Sequence, residues 1–268
     1  MAVIYGTNAA DTLVGTAGDD QIRGYAGDDV LNGGAGNDVL MGGEGADQIN
    51  GGAGVDTASY EDVTNVISVT LNLKTGVHTG AAKGDTFTDI EVFRGTNWAD
   101  TFVSGSGADT FDGLQGNDTL SYSTSDQAIN IFSSVGATGT GTGGDAQGDS
   151  FTNVETIVGS AFNDTFTLTG GGLTLNGGAG NDVYIINGNT NASIIEAAGG
   201  GDDEVRTTQN TAYLAVNVER LTFTGTGNFK GVGNAGDNFI TGGAGDDVLT
   251  GGAGADQLSG GRFRYRKL

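Results

Sequence analysis

The chain has 268 residues, 52 of them glycine, with no proline and no cysteine, and a formal charge of −22. That charge leaves no basic face for phosphates and so excludes nucleic acid as a partner. The missing cysteines exclude disulfide stapling, and no apolar stretch is long enough for a transmembrane helix.

Glycine at this density reads as disorder unless it is periodic, and here it is periodic. Residues 15–59 divide into five consecutive nine-residue units, GTAGDDQIR, GYAGDDVLN, GGAGNDVLM, GGEGADQIN and GGAGVDTAS, preceded by a looser GTNAADTLV. The sixth position places Asp11, Asp20, Asp29, Asp38, Asp47 and Asp56 nine apart. Gly at the first and fourth positions supplies turn conformations that a side chain would forbid. The eighth position is apolar: Leu13, Ile22, Leu31, Leu40, Ile49 and Ala58. A three-residue strand around one buried side chain cannot fold alone, so the units must stack and share a column. The expected fold is all-β, a parallel β-roll or β-solenoid, with wider degenerate β coils between the repeat blocks.

Two units make one coil, which puts Asp11, Asp29 and Asp47 on one edge and Asp20, Asp38 and Asp56 on the other. Neighbouring coils lie about 4.8 Å apart, so these carboxylates repel one another unless a cation sits between them. Carboxylates and turn carbonyls form an all-oxygen shell, which suits calcium better than zinc or copper. Calcium held between successive turns is therefore the expected cofactor, in several copies. Asp19, Asp28, Asp237 and Asp246 occupy the fifth position and are expected to face outward.

The units at 33–41 and 42–50 match GGxGxDxUx, with U a large apolar residue, at every fixed position. In this the chain resembles the RTX proteins, which carry hemolysin-type calcium-binding nonapeptide repeats. The resemblance implies that the side chains of Asp38 and Asp47, and turn carbonyls such as those of Gly34 and Gly36, are ligands. Extended to the other units in phase, the expected ligand set is Asp11, Asp20, Asp29, Asp38, Asp47, Asp56, Asp100, Asp109, Asp118, Asp164, Asp182, Asp247 and Asp256. The glycines Gly34, Gly36, Gly43, Gly45, Gly52 and Gly54 complete it.

Beyond Ala58 the register breaks, and VISVTLNL (66–73) alternates as a half-buried strand should. The repeat resumes as GTNWADTFV, SGSGADTFD and GLQGNDTLS. A longer duplication follows: GDTFTDIEVFRGTNWADTF at 84–102 recurs as GDSFTNVETIVGSAFNDTF at 148–166, at a constant offset of 64. It pairs Asp85 with Asp149, Glu91 with Glu155 and Asp100 with Asp164, and argues against an inserted catalytic domain. GGAGNDVYI (177–185) is a further unit, and Asp164 and Asp182 are spaced to share an ion. From 186 to 232 the nonapeptide pattern lapses, with strands expected near 193–195 and 218–223. Three final units place Asn238, Asp247 and Asp256 at the sixth position, and then RFRYRKL replaces the repeat. This basic ending reads as truncated or altered, or else as part of an export signal or a capping tail, though export signals of the RTX family commonly end in an acidic residue followed by apolar ones and this tail does not. The expected segments are 1–59, 60–121, 122–185, 186–232, 233–261 and the tail 262–268.

His78 is the only histidine, so no HExxH zinc site can exist, and it is expected to be an ordinary loop residue. No GxSxG or P-loop occurs, and the chain is expected not to be an enzyme. No basic region followed by an apolar run opens the chain, so no cleavable signal is expected. The resemblance implies secretion by a type I pathway, with calcium as the folding partner; the acidic turns offer an extracellular polysaccharide or cell-surface molecule as a further one. It also allows an accessory module of a secreted metalloprotease or alginate epimerase, and, more remotely, a membrane-active protein.

Overall fold

The computed structural model describes residues 1–63, 67–188 and 190–266, with side chains through Gly261. Val66, the first residue of the strand expected at 66–73, and the last two residues of the basic tail lie outside them. The chain divides into two compact units, one of Met1–Ser121 with Gln147–Glu155, the other of Tyr122–Ala146 with the residues from Thr156 onward. Each is a parallel β-solenoid, as expected, and regular helix among the described residues is confined to one 3-10 turn, Gly144–Ala146. Among the described residues no helix is long and apolar enough to cross a membrane.

In the first unit one face stacks Val3–Tyr5, Gln21–Ala26, Val39–Glu44, Thr57–Ser59, Val92–Arg94, Thr110–Asp112 and Ser150–Thr152 in parallel. A second face stacks Thr12–Val14, Val30–Ala35, Gln48–Ala53 and Thr86–Thr88. The register pairs eighth position with eighth position, so Ile22 sits on Leu40 and Leu31 on Ile49. All four are buried, as are Phe93, Phe102 and Phe111 further along. One apolar residue per strand therefore suffices, because each rests on its equivalents in the coils above and below, and dispersion contacts sum along the column. In Gln21–Ala26, Val30–Ala35, Val39–Glu44 and Gln48–Ala53 pairing runs on through the first three turn positions, giving six residues instead of the expected three. Glycine permits this: Gly34 pairs with Gly52 at φ values of 104° and 98°, which a side chain would strain.

The register break after Ser59 is an excursion that starts a third face. Val69–Asn72 turns back on Thr79–Gly80 as a hairpin, and Thr101–Val103 stacks upon it. Val69 and Leu71 are buried while Thr70 and Asn72 are half-buried, which is the expected alternation. His78 lies in a loop, as expected, but is buried there: only 7 % exposed, it accepts the Asn72 N–H at Nδ1 (3.1 Å) and packs edge-on against Phe87. Two glycines of this hairpin separate backbone strain from crowding. Gly80 and Gly76 both have positive φ, 72° and 66°, but a Cβ at Gly80 would collide with the Ser68 carbonyl, whereas at Gly76 it meets nothing within 4 Å. Gly80→Ala should therefore cost about 1–3 kcal/mol more than Gly76→Ala in denaturant unfolding. Equal costs would mean that the hairpin yields freely.

The second unit repeats the device. Asn130–Val135 and Thr138–Thr142 form an antiparallel hairpin, and Thr165–Leu168 stacks on the first of these strands. Val183–Ile186, Glu204–Thr207, Arg220–Phe223, Phe239–Thr241 and Gln257–Ser259 continue that face. The lapse expected between 186 and 232 is a lapse of sequence pattern only. Val205 and Leu221 occupy the same buried column as Tyr184 and Ile240, and Ser193–Ile195, Thr211–Tyr213 and Lys230–Val232 supply the opposite strands. Of the turns there, 196–203 has eight residues against six in a repeat, while 208–210 has only three. The basic tail pairs as Arg262–Arg266 along Asp246–Thr250.

Candidate metal centres

Each sixth-position aspartate but Asp247, which lies within Asp246–Thr250, ends its turn immediately before a strand. In most of them one carboxylate oxygen makes a rung of a ladder along the solenoid edge, accepting the backbone N–H of the equivalent residue one coil earlier. Asp20 N–H donates to Asp38 Oδ1, Asp29 N–H to Asp47 Oδ1 and Asp38 N–H to Asp56 Oδ1, each at 2.8 Å. Asp11 N–H donates to Asp29, so the two edges carry the aspartates assigned from the spacing. They end on residues outside the nonapeptides, Asp47 donating to Asp85 (2.9 Å) and Asp56 to Glu91 (2.9 Å). Equivalent ladders run from Asp100 through Asp118 to Glu155, from Asp109 to Asp149, and from Asp164 through Asp182 and Asp203 to Glu219. Asp247 and Asp256 accept the N–H groups of Phe229 and Asn238 in the same way, each at 3.0 Å.

The second oxygen divides the aspartates into two classes. Oδ2 of Asp29, Asp38, Asp47, Asp56, Asp118 and Asp182 is buried and has no hydrogen-bond partner. At Asp11, Asp20 and Asp100, by contrast, a threonine takes that oxygen with both its N–H and its hydroxyl, Thr7 at 2.6 and 2.8 Å, Thr16 at 2.6 and 2.7 Å, Thr96 at 2.6 and 3.0 Å. Ser160 does likewise for Asp164, with its N–H on one oxygen and its hydroxyl on the other. The difference lies at the second position of the unit: Thr or Ser satisfies the carboxylate from within, and Gly, Tyr25 or Leu114 leaves it bare. Asp164, spaced to share an ion with Asp182, is thus satisfied by its own turn. Asn238 belongs with the satisfied class, its Nδ2 donating to Asn234 Oδ1 (3.1 Å) and the Val218 carbonyl (3.3 Å). Asp247 has the Gly261 N–H at 3.4 Å, and Asp109 and Asp256 are half-buried.

A bare carboxylate oxygen inside a fold is costly without a cation or a donor, and a second observation shows what faces it. A Cβ added at Gly33 would fall on Asp38 Oδ2 and lie 2.6 Å from the Gly51 carbonyl oxygen; Gly24 has the same relation to Asp29 and the Gly42 carbonyl (2.5 Å). The carboxylate and the first-position carbonyl of the next coil therefore flank one small space that the absent side chain keeps open. At Asp56 and Asp118 the carbonyls of Asp89 and Asn153 take the place of a first-position glycine. Both lie in the left-handed region, at φ 49° and 54°. This donor set of carboxylate and carbonyl oxygens fits a hard cation. The glycines expected as ligands, Gly34, Gly36, Gly43, Gly45, Gly52 and Gly54, all have φ between 98° and 153°. The carbonyls of Gly34 and Gly36 lie against Gly52 and Gly54 of the following coil.

Electrostatics separate the bare aspartates from Asp20 but not from Asp100 and Asp164. Burial, and then the flanking carboxylates, push Asp47, Asp118 and Asp182 up to about 7, and raise Asp29, Asp38 and Asp56. Asp109 is also pushed up to about 7, by burial and then by Asp149. Asp20 moves the other way, lowered first by the Ala2 N–H and then by Thr16. Asp100 and Asp164 are raised by burial in spite of their hydroxyl donors.

Fifth-position residues have a different task. Asp19 and Asp28 are exposed, as expected, and each accepts one N–H from the next coil, of Asn37 (2.8 Å) and of Ala46 (2.9 Å). Asn37 does the same for Val55 (3.0 Å). One acceptor suffices there, so Asp and Asn interchange at this position. Sequence reasoning missed Asp203, Glu196 and the three ladder-ending glutamates. The glutamates carry a readable signal, an Asp or Asn, an apolar residue and Glu at 89–91, 153–155 and 217–219, with Asp89, Asn153 and Asn217 each at positive φ.

A family model, described as RTX calcium-binding nonapeptide repeat (4 copies), matches residues 5–40, 26–58, 85–121, 151–184, 174–188 and 232–264. Together these cover more than half of the chain, which belongs to that family and binds several calcium ions. No curated protein matches it.

Proposed function

We propose that this RTX protein is a secreted, non-catalytic structural module whose folding is driven by calcium bound at the bare aspartates. The observation that carries the reading is the set of buried Oδ2 atoms of Asp29, Asp38, Asp47, Asp56, Asp118 and Asp182, none with a hydrogen-bond donor. The calcium ligands are proposed to be these carboxylates with the facing turn carbonyls, with Asp247 at a further buried site and Asp109 and Asp256 making more open ones. The capped residues Asp11, Asp20, Asp100 and Asp164 are proposed to stabilise the turns without metal.

The thermodynamics favour a switch between compartments. Where calcium is scarce, bare carboxylates and glycine entropy oppose the fold and keep the chain open for export by a type I pathway. At extracellular calcium, sites with Kd on the order of 10⁻⁴ to 10⁻³ M fill, and binding free energy becomes folding free energy. The test is far-UV circular dichroism and Trp98 fluorescence during calcium titration of chelator-treated protein, with magnesium as control. A cooperative gain of β signal specific to calcium is expected; a protein folded alike with and without the ion would sink the reading.

A further inference from the structure

Resting on that reading of the turns, we infer that Asp182, Glu196 and Asp203 form a three-carboxylate calcium site that is tighter than those built from the nonapeptides alone, with Tyr184 positioning Glu196. Each of the three residues offers an oxygen within 4.8 Å of the others. Asp182 is 1 % exposed, Glu196 8 % and Asp203 0 %, and Asp182 Oδ2, Glu196 Oε2 and Asp203 Oδ2 all lack a hydrogen-bond partner. Three ionised carboxylates this close, each with a bare buried oxygen, repel one another unless positive charge lies between them.

Glu196 belongs to no nonapeptide. It follows the strand Ser193–Ile195 directly, so it stands where a unit would place its first glycine. The turn it opens reaches Asp203 in eight residues from Ile195, against six from Asn176 to Asp182 in the preceding coil. The longer turn accommodates a side chain where the repeat has none. That side chain reaches back toward the preceding coil, since a Cβ at Gly177 would meet Asp182 Oδ2, the Tyr184 hydroxyl and Glu196 Oε1. Tyr184, itself fully buried, donates its hydroxyl to Glu196 Oε1, which leaves Oε2 for the cation. Asn217 fixes the backbone by donating to the Glu196 carbonyl (2.9 Å). The rung from Asp182 N–H to Asp203 Oδ1 (2.8 Å) holds the two coils in register. Elsewhere the described ladders bring at most two bare carboxylates of adjacent coils together, and calcium affinity rises with ligand charge and site rigidity.

The experiment is calcium titration of the whole chain against a chromophoric chelator, comparing wild type with Glu196→Gln and Tyr184→Phe. Wild type should show one ion bound more tightly than the rest. Glu196→Gln should weaken that ion at least about tenfold and leave the others unchanged. Tyr184→Phe should weaken it by about 10- to 100-fold, as loss of an outer-shell partner does, with the same selectivity. A tight ion that survives both substitutions, or no distinct tight ion in wild type, overturns the assignment. Wild type that binds no calcium overturns instead the reading of all the turns. Glu196→Gln removes an unpaired buried charge and should fold; if its far-UV spectrum in calcium departs from wild type, Tyr184→Phe decides.

Discussion

Asp47→Asn is expected to stabilise the calcium-free protein and destabilise the calcium-loaded one. The substitution keeps the Oδ1 acceptor that receives the Asp29 N–H at 2.8 Å, so the ladder survives. It replaces Oδ2, which is buried with no donor on a residue 0 % exposed, by an uncharged amide nitrogen. Burying an amide costs less than burying an unpaired carboxylate, and relief of such a group is worth about 1–3 kcal/mol without metal. In calcium the sign reverses once the ion stands about a thousandfold above its Kd, where the site contributes about 4.1 kcal/mol, more than that relief, and the amide forfeits it. Urea unfolding of both proteins, with chelator and with saturating calcium, reads the crossing. Asp20→Asn is the control, since Thr16 donates twice to Asp20 Oδ2 and a donor facing donors has no calcium to lose. It should destabilise the protein in both conditions. Loss of stability in both conditions for Asp47→Asn as well would mean that this carboxylate is not a calcium ligand.

That contrast also shows how far the sequence could be read. The coil, its two edges and the buried column follow from the period alone, because a fixed spacing of Asp, Gly and an apolar residue has one way to stack. The class of each aspartate was equally present at the second position of its unit, Thr16 against Gly34, but becomes meaningful only when the hydroxyl is seen to reach the same oxygen a cation would. Asp203 escaped because its turn is two residues longer than the repeat, and Glu196 because it occupies a glycine position in a stretch without the pattern. A departure from periodicity reads as noise in one dimension. In the folded coil the extra residues are what admit a third carboxylate, and the hairpin excursion before Asp85 is what begins a third face.

Calcium-free protein should gain β structure on acidification from about pH 8 to about pH 5, and calcium-loaded protein should lose it. Without metal, Asp47, Asp118, Asp182 and Glu196 are each pushed up to about 7, burial being the first cause in every case. In the open chain such groups titrate near about 4. Between those limits the folded chain binds more protons than the open one, so stability is fully present below about pH 4 and is lost as pH rises through about 7. Each such group contributes up to about 1.4 kcal/mol per pH unit inside the window, less where Asp182 and Glu196 share a site and titrate together. The lowered Asp20 acts in the opposite sense, but its contribution is lost only as pH falls below its ordinary carboxylate range, outside the window. With calcium the same carboxylates must be ionised to bind, so protons compete with the ion and acid releases it. Circular dichroism across this range, with chelator and with calcium, should give two profiles of opposite slope. A calcium-free profile that is flat, or that rises toward alkaline pH, would show that the turns relieve their carboxylates by opening rather than by taking up protons.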